Sequence, residues 1–310
     1  MSKNDPQPTD DKVVAQSHGV PAKHAPQHRS LFSIPAPLKR VFDQFPLVTY
    51  AENELPLRTR QSRDANVLHL FTTDEDAEYC RPSFNPACLK WQTHLKLLGV
   101  PFRVASSSNH ASPSGALPFL LPATPGAGLV HSHDPVPSSK LKKWLASQTT
   151  ANKLQETSDV RCDAYVSMLD GPIRKAWLYQ LYLNPANSPL VHRLYVEPSS
   201  SNPFVQMTIA YQLRRAAETE LVKASHSDTI SEIDVMHEAR QSLEALSTLL
   251  GHNEWFFAQA RPSLFDASVF AYTHLILNGN VEWGENRLAE ELEKSENLVR
   301  HQQRIFEAYS

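Results

Sequence analysis

The rhythm of apolar and polar positions changes several times along the chain. Residues 1–30 hold no aromatic residue, no leucine and no isoleucine. So little apolar surface cannot offset the entropy of ordering, and they read as a disordered tail. Residues 31–66 read as an extended, proline-rich arm. There Leu31, Phe32, Ile34, Leu38, Val41, Phe42, Phe45 and Tyr50 stand between prolines, too broken for one long helix. A short helical turn is predicted near 37–44. Arg58, Arg60 and Arg63 follow as a small basic run. It reads either as solvated linker or as a patch drawn to anionic lipid headgroups.

From 67 to 148, short apolar runs alternate with helical spacing. VLHLFTT (67–73) is compact enough for a buried strand. An acidic stretch, Asp74 to Glu78, comes next, within a segment, TTDEDAEYCRPSF, that reads as long and poorly fixed. In FNPACLKWQTHLKLLGV, Asn85 can cap a helix that has Pro86 at its first position. Leu89, Trp91, Leu95, Leu97 and Leu98 supply its apolar side, and Gly99 its stop. PFRVASS, ALPFLLP and GLVHSH give three more strand candidates. PVPSSKLKKWLASQ reads as a helix with Leu141, Trp144 and Leu145 on one face.

Two strands flanking one helix form a βαβ unit. With two further strands and a helix, the order matches a thioredoxin fold. In such folds a cis proline sits just before the third strand, at the rim of the substrate groove. Leu117–Pro118, inside SPSGALPFLLP, is the candidate. The alternative is a trans proline that merely opens an edge strand.

Beyond about 150 the pattern is helical. Tyr165, Val166 and Leu169 lead to Gly171-Pro172, a predicted break or kink, then Ile173, Ala176, Trp177 and Leu181 up to NPANSP. VQMTIAYQLRRAAETELVKA is rich in helix formers. The next helix repeats Ile233, Met236, Leu243, Leu246, Leu249 and Leu250 before Gly251. Ser263-Leu264-Phe265-Asp266 is a reciprocal capping box, with Ser263 and Asp266 each accepting from the other's amide. Its loss is expected to cost roughly 1–2 kcal/mol. The helix behind it, with Phe265, Val269, Phe270, Tyr272, Leu275 and Ile276, is apolar nearly all round and belongs inside a bundle.

Charge and cysteines narrow the classes. There are 30 basic against 33 acidic residues, and no basic motif points to nucleic acid. Cys80, Cys88 and Cys162 make neither a disulfide framework nor a C-x-x-C pair. A reducing compartment is the simplest expectation. No stretch is apolar and long enough for a transmembrane helix, and the start lacks the apolar core of a signal peptide.

A thioredoxin-like domain (67–148) followed by an all-helical domain (149–310) with an S-x-x-D-capped central helix resembles the glutathione-transferase plan, an α/β plus all-α fold. NPACLKWQTHLKLLGVPFRV leading to SPSGALPFL, and EARQSLEALSTLLGHNEWFFAQARPSLFDASVFAYTHLIL, resemble the metaxin family over roughly 67–280. The arm resembles that of the fungal metaxin-like smaller peripheral subunit of the mitochondrial sorting and assembly machinery. The resemblance implies a non-enzymatic subunit, peripheral on the cytosolic face of the mitochondrial outer membrane. It would cap the central β-barrel subunit beside a second metaxin-like subunit. It would also help recognise the C-terminal sorting signal of β-barrel precursors. Phe32, Ile34, Leu38, Phe42 and Phe45 of the arm, and Leu117 at the groove, are the candidate partner contacts.

The alternative is a glutathione-transferase-like enzyme acting on small electrophiles. Its nucleophile partner would be a Ser, Tyr or Cys near the first helix: Tyr79, Cys80 or Ser83. Asp74, Glu75, Asp76 and Glu78 oppose a thiolate there. Leu117 can still offer backbone bonds to a peptide. Ser132 follows the fourth strand where the transferases use an acid–serine pair, but His131 replaces the acid. His131 and His133 would share a strand face, yet lack a third metal ligand; a polar strand end is the simpler reading. His18, His24 and His28 lie in the tail. No cofactor or metal is expected.

Overall fold

The computed structural model describes residues 63–123, 134–148, 159–225 and 229–309. The tail, nearly all of the arm, and His131, Ser132 and His133 therefore lie outside the described residues. Of the basic run only Arg63, half-buried, is described.

Five residues, Asn66–Leu70, form β1. Both neighbours of β1 in the sheet are strands, in the order β2-β1-β3-β4. β2 (Phe102–Ser106) runs parallel to β1, pairing Leu68 with Val104. β3 (Phe119–Leu121) runs antiparallel, pairing Leu68 with Leu120 and His69 with Phe119. β4 (Val136–Pro137) closes the sheet against β3. A central strand covered on both faces has no solvent side, which is why VLHL is a run rather than an alternation. The fourth strand expected at Gly128–His133 lies outside the described residues. Val136 and Pro137, read from sequence as the start of a helix, form the edge instead, where a proline removes no needed ladder bond.

α1 is a short helix, Asp74–Glu78. α2 (Pro86–Leu97) crosses between β1 and β2 and ends at Gly99, whose φ of 66° suits a residue without Cβ. Cys88, Leu89, Trp91 and Leu95 are buried; Leu97 and Leu98 are only half-buried. α3 (Ser138–Gln148) buries Leu141 and Leu145, one turn apart. Cys88, Trp91, Leu95, Leu141 and Leu145 join Leu68, Leu70, Phe119 and Leu120 in one core.

A second core belongs to the helices. α4 (Cys162–Met168) continues through a π-helical turn, Leu169–Ile173, into α5 (Arg174–Leu178) and a second π turn, Tyr179–Leu183. The break or kink expected at Gly171-Pro172 takes the form of a widened turn within a continuous helix, which accommodates a residue with no N–H to donate. NPANSP ends that helix, but α6 (Ser188–Val191) and a π turn at His192–Val196 follow, where no helix was expected. α7 is Pro203–Ser225 and α8 is Glu232–Leu250. In α8 the inward face is Val235, Ala239, Leu243, Leu246 and Leu250; Ile233, read as part of it, is exposed. The next helix, α9 (Leu264–Leu277), is buried at every position from Phe265 to Ile276. It packs on α2 from the sheet half and on α11 (Glu296–Tyr309), while α10 (Arg287–Leu292) lies beside it. α9 is apolar all round because it has neighbours all round.

Candidate functional site

The place to look for chemistry is where a transferase would hold a thiol: the rim of β3, the start of α2, and the chain between β1 and α2. The Leu117–Pro118 bond is cis. Ahead of it the loop bonds to itself, with Ser112 Oγ donating to Ala116 O at 2.7 Å. The Leu117 amide donates to Asn109 Oδ1 at 3.0 Å, and the side chain is buried. In this arrangement the Leu117 side chain and amide are both engaged within the chain.

The start of α2 is closed in the same way. Asn85 Oδ1 accepts from the amides of Ala87 and Cys88, at 3.1 and 3.3 Å. The Leu89 amide donates to Asn85 O, and Pro86 has none to give. A helix start attracts anions through unsatisfied amides. Here each is already matched.

Of the candidate nucleophile partners, Ser83 is placed for structure. Ser83 is fully buried; its hydroxyl donates to Phe71 O at 2.6 Å. The Ser83 amide donates to Gln92 Oε1, and Gln92 Nε2 donates to Arg81 O. Gln92, on α2, thus staples residues 81–83 to the helix. The acidic stretch expected to be poorly fixed is a capped helix: Thr73 Oγ1 accepts from the Asp76 amide, and Arg81 pairs with Glu75 and Asp76. Tyr79 is exposed beneath the Arg81 guanidinium. Cys80 is half-buried with a left-handed backbone, φ 52°. Cys88 is the cysteine nearest the helix start, and burial pushes its thiol up to about 12. A thiol so placed is inert.

Beside the helix start stands an aromatic cluster. Tyr195, buried, meets Phe84 edge-on at 5.2 Å and Phe71 at 5.5 Å, and leans on Tyr182 at 5.9 Å. Asn85 Nδ2 donates to its hydroxyl at 3.4 Å. Two surface clefts, of about 330 and 350 Å³, lie elsewhere, one between Arg240 and Lys294 and one around Glu293 and Arg300. Neither includes Leu117, Pro118 or the start of α2. Among the described residues no group of three His, Cys, Asp or Glu side chains converges as metal ligands.

Ser263 and Asp266 form the capping box of α9. Asp266 does more than cap. Fully buried, its Oδ2 accepts from the Ser263 amide and hydroxyl, and its Oδ1 from the Phe256 amide and from His301 Nε2 on α11, at 3.0 Å each. One side chain ties α9, α11 and the 256 turn together. Asn109, Gln92, Tyr195 and His301 were not singled out in the sequence. Their partners lie 8, 9, 110 and 35 residues away, beyond any local spacing rule.

Comparison with known proteins agrees with this architecture. A family model described as "Glutathione S-transferase N-terminal domain" matches residues 86–187, and one described as "Glutathione S-transferase, C-terminal domain" matches 239–305. Among solved structures, the chain is similar to a glutathione S-transferase of Ceriporiopsis subvermispora in complex with glutathione. The TM-score is 0.51 at 12% identity, covering 79% of this chain and 98% of that one. It is similar also to the glutathione transferase GSTFuA3 of Phanerochaete chrysosporium, with TM-score 0.52 at 15% identity over 80% and 98%. At these identities the likeness concerns the fold. The fold is that of glutathione S-transferases, a thioredoxin-like domain followed by a helical one.

Sequence relatives narrow the class. Metaxin-1 of Macaca fascicularis is 26% identical over 209 residues, 66% of this chain and 64% of that protein. Human metaxin-1 is 25% identical over the same share of this chain but only 44% of its own length. The metaxin-1 homolog of Caenorhabditis briggsae is 24% identical over 78% of this chain and 73% of its own. The chain thus spans less than two thirds of the macaque and human proteins it matches. Together these likenesses support a metaxin/GST-like family for the chain.

Proposed function

We propose that the chain is a non-enzymatic, metaxin-like peripheral subunit of the mitochondrial outer-membrane sorting and assembly machinery. In this reading it is the smaller peripheral subunit of the fungal type, on the cytosolic face. It covers the central β-barrel subunit beside a second metaxin-like subunit and helps receive β-barrel precursors through their C-terminal signal. The observation that carries the non-enzymatic part is the closed groove. The Leu117 amide is held by Asn109, the α2 amides by Asn85 and the Ser83 hydroxyl by Phe71 O, so these donors at the rim are engaged within the chain, which leaves Tyr79 and Cys80 as the groups to test. The metaxin-1 relatives supply the direction toward the outer membrane.

A barrel in mid-insertion exposes an unpaired strand edge, which tends to pair or aggregate. A folded subunit held over the barrel mouth shields that edge. The arm, residues 31–56, is the anchor in this reading, because its aromatics are spaced by prolines rather than on a helical face. The test is co-purification of the barrel subunit with the full chain from solubilised mitochondria, against a 31–56 deletion that keeps its helical circular dichroism. Loss of the barrel subunit supports the reading; intact co-purification overturns the arm's role. A second arm measures turnover of a generic electrophile with glutathione. Turnover abolished by Cys80→Ser or Tyr79→Phe would make the chain an enzyme.

A further inference from the structure

Several exposed apolar side chains stand together at one end of α7. Phe204 is 69% exposed, Val205 40%, Met207 67% and Tyr211 64%. Phe204, Met207 and Tyr211 follow one another at helical spacing on one stripe. No charged residue occurs from Pro203 to Leu213. The next two residues are Arg214 and Arg215, which share the single carboxylate of Glu218 at 3.1 and 3.0 Å, leaving one net positive charge. Farther on, Ala217 and Leu221 are buried in the bundle. Polarity on α7 is therefore divided along the helix axis rather than only around it: an apolar tip, then a phenol, then guanidinium groups, then packed helix.

We propose that this end of α7 inserts into the interfacial layer of a lipid bilayer. The stripe from Phe204 to Tyr211 runs about 10 Å along the helix, and interfacial helices bury such an apolar face about 5–10 Å into the headgroup boundary. Tyrosine belongs at the headgroup level, and arginine just outside it, facing phosphates. A second copy of this chain fits less well. The four side chains offer on the order of 400–500 Å² of exposed surface, given roughly 150–250 Å² for a large side chain. A stable protein interface needs about 800 Å² per partner. A protein groove would also hold the stripe without needing the charge step at Arg214. The inference deepens the proposed function, on which it rests for the identity of the membrane but not for the contact itself.

The experiment is flotation of the full chain with vesicles of phosphatidylcholine, alone or mixed with phosphatidylinositol. The wild-type chain floats with both, more strongly with the anionic lipid. Phe204→Glu combined with Met207→Glu weakens flotation by about ten-fold or more while circular dichroism stays unchanged. Arg214→Gln with Arg215→Gln removes only the preference for anionic lipid. The proposal is overturned if the wild-type chain stays with the soluble fraction on both vesicles, or if the double glutamate variant floats like wild type. It is overturned equally if light scattering shows a dimer that the variant dissociates. Lost flotation with retained co-purification of the barrel subunit refutes this contact alone. Retained flotation without co-purification refutes the assembly reading alone.

Discussion

Asp266 offers the sharpest test of the structural argument. As an ordinary capping residue at a helix start, its replacement by alanine costs roughly 1–2 kcal/mol. The structure raises that figure. Asp266 is fully buried, and truncation strands the Ser263 amide, the Phe256 amide and His301 Nε2, all bonded at 2.8–3.0 Å. A buried donor left without its acceptor costs about 1–3 kcal/mol, with some relief where water enters the vacated space. Asp266→Ala is therefore expected to lose about 3–5 kcal/mol, a large part of the 5–15 kcal/mol typical of a folded protein. Ser263→Ala leaves the carboxylate bonded to Phe256, His301 and the Ser263 amide, and loses about 1–2 kcal/mol. Asp266→Asn keeps the shape but turns one oxygen into a donor facing donors, and falls between the two. The assay is urea unfolding followed by far-ultraviolet circular dichroism, with His301→Ala closing a double-mutant cycle. A coupling near zero between 266 and 301, or an Asp266→Ala loss no larger than that of Ser263→Ala, would refute the claim that this carboxylate joins α9 to α11.

Burial holds His69, His94 and His274 down at about 4, with Arg63 adding to the effect at His69 and Lys90 at His94. Between about 4 and the ordinary 6.5 the unfolded chain binds these protons and the folded one does not, so stability falls as pH falls through that window. Each histidine contributes at most about 1.4 kcal/mol per pH unit, and urea midpoints should drop from about pH 7 to about pH 5, less so in His274→Gln. A flat profile would contradict it. Asn187, fully buried, donates to Gln180 O and Glu285 O and accepts from the Gly284 and Glu285 amides. Asn187→Ala should cost about 2–4 kcal/mol in the same assay. At Gly284 an added Cβ would lie 2.1 Å from Ala186 O, so Gly284→Ala must move that backbone and should also lower the midpoint. Cys88 should react with a disulfide reagent only on unfolding, checked by mass spectrometry of the labelled sites; labelling of Cys88 in the folded chain would contradict its burial.

Short-range rules carried far in this chain. Asn85 with Pro86, Gly99 as a helix stop, and Ser263 with Asp266 all work within a few residues, so their chemistry is written locally. The run VLHL and the all-apolar helix behind Phe265 also announced central positions, because an element without a polar face must be covered on all sides. The same logic failed where partners were remote. Ile233 looked as apolar as Leu243, yet only the placement of neighbouring helices decides which stripe of α8 turns inward, and Ile233 faces water. Gly171-Pro172 promised a break or kink, and the chain takes it as a widened turn inside a helix that continues, an outcome no local rule fixes.

The candidate site divides the same way. The residue types around Tyr79, Cys80 and Ser83 could be read from the chain, as could Pro118. Whether their hydrogen-bonding groups face a ligand or one another could not. For Leu117, Ser83 and Asn85 the answer came from Asn109, Gln92 and Tyr195, contacts that exist only after folding. Sequence by itself determined which residues can cap, turn and fill a core, since those preferences arise in single residues and their near neighbours. Tertiary structure decided which polar groups are already satisfied and which apolar ones are left bare, because a group's free valence depends on whatever the rest of the chain brings to it.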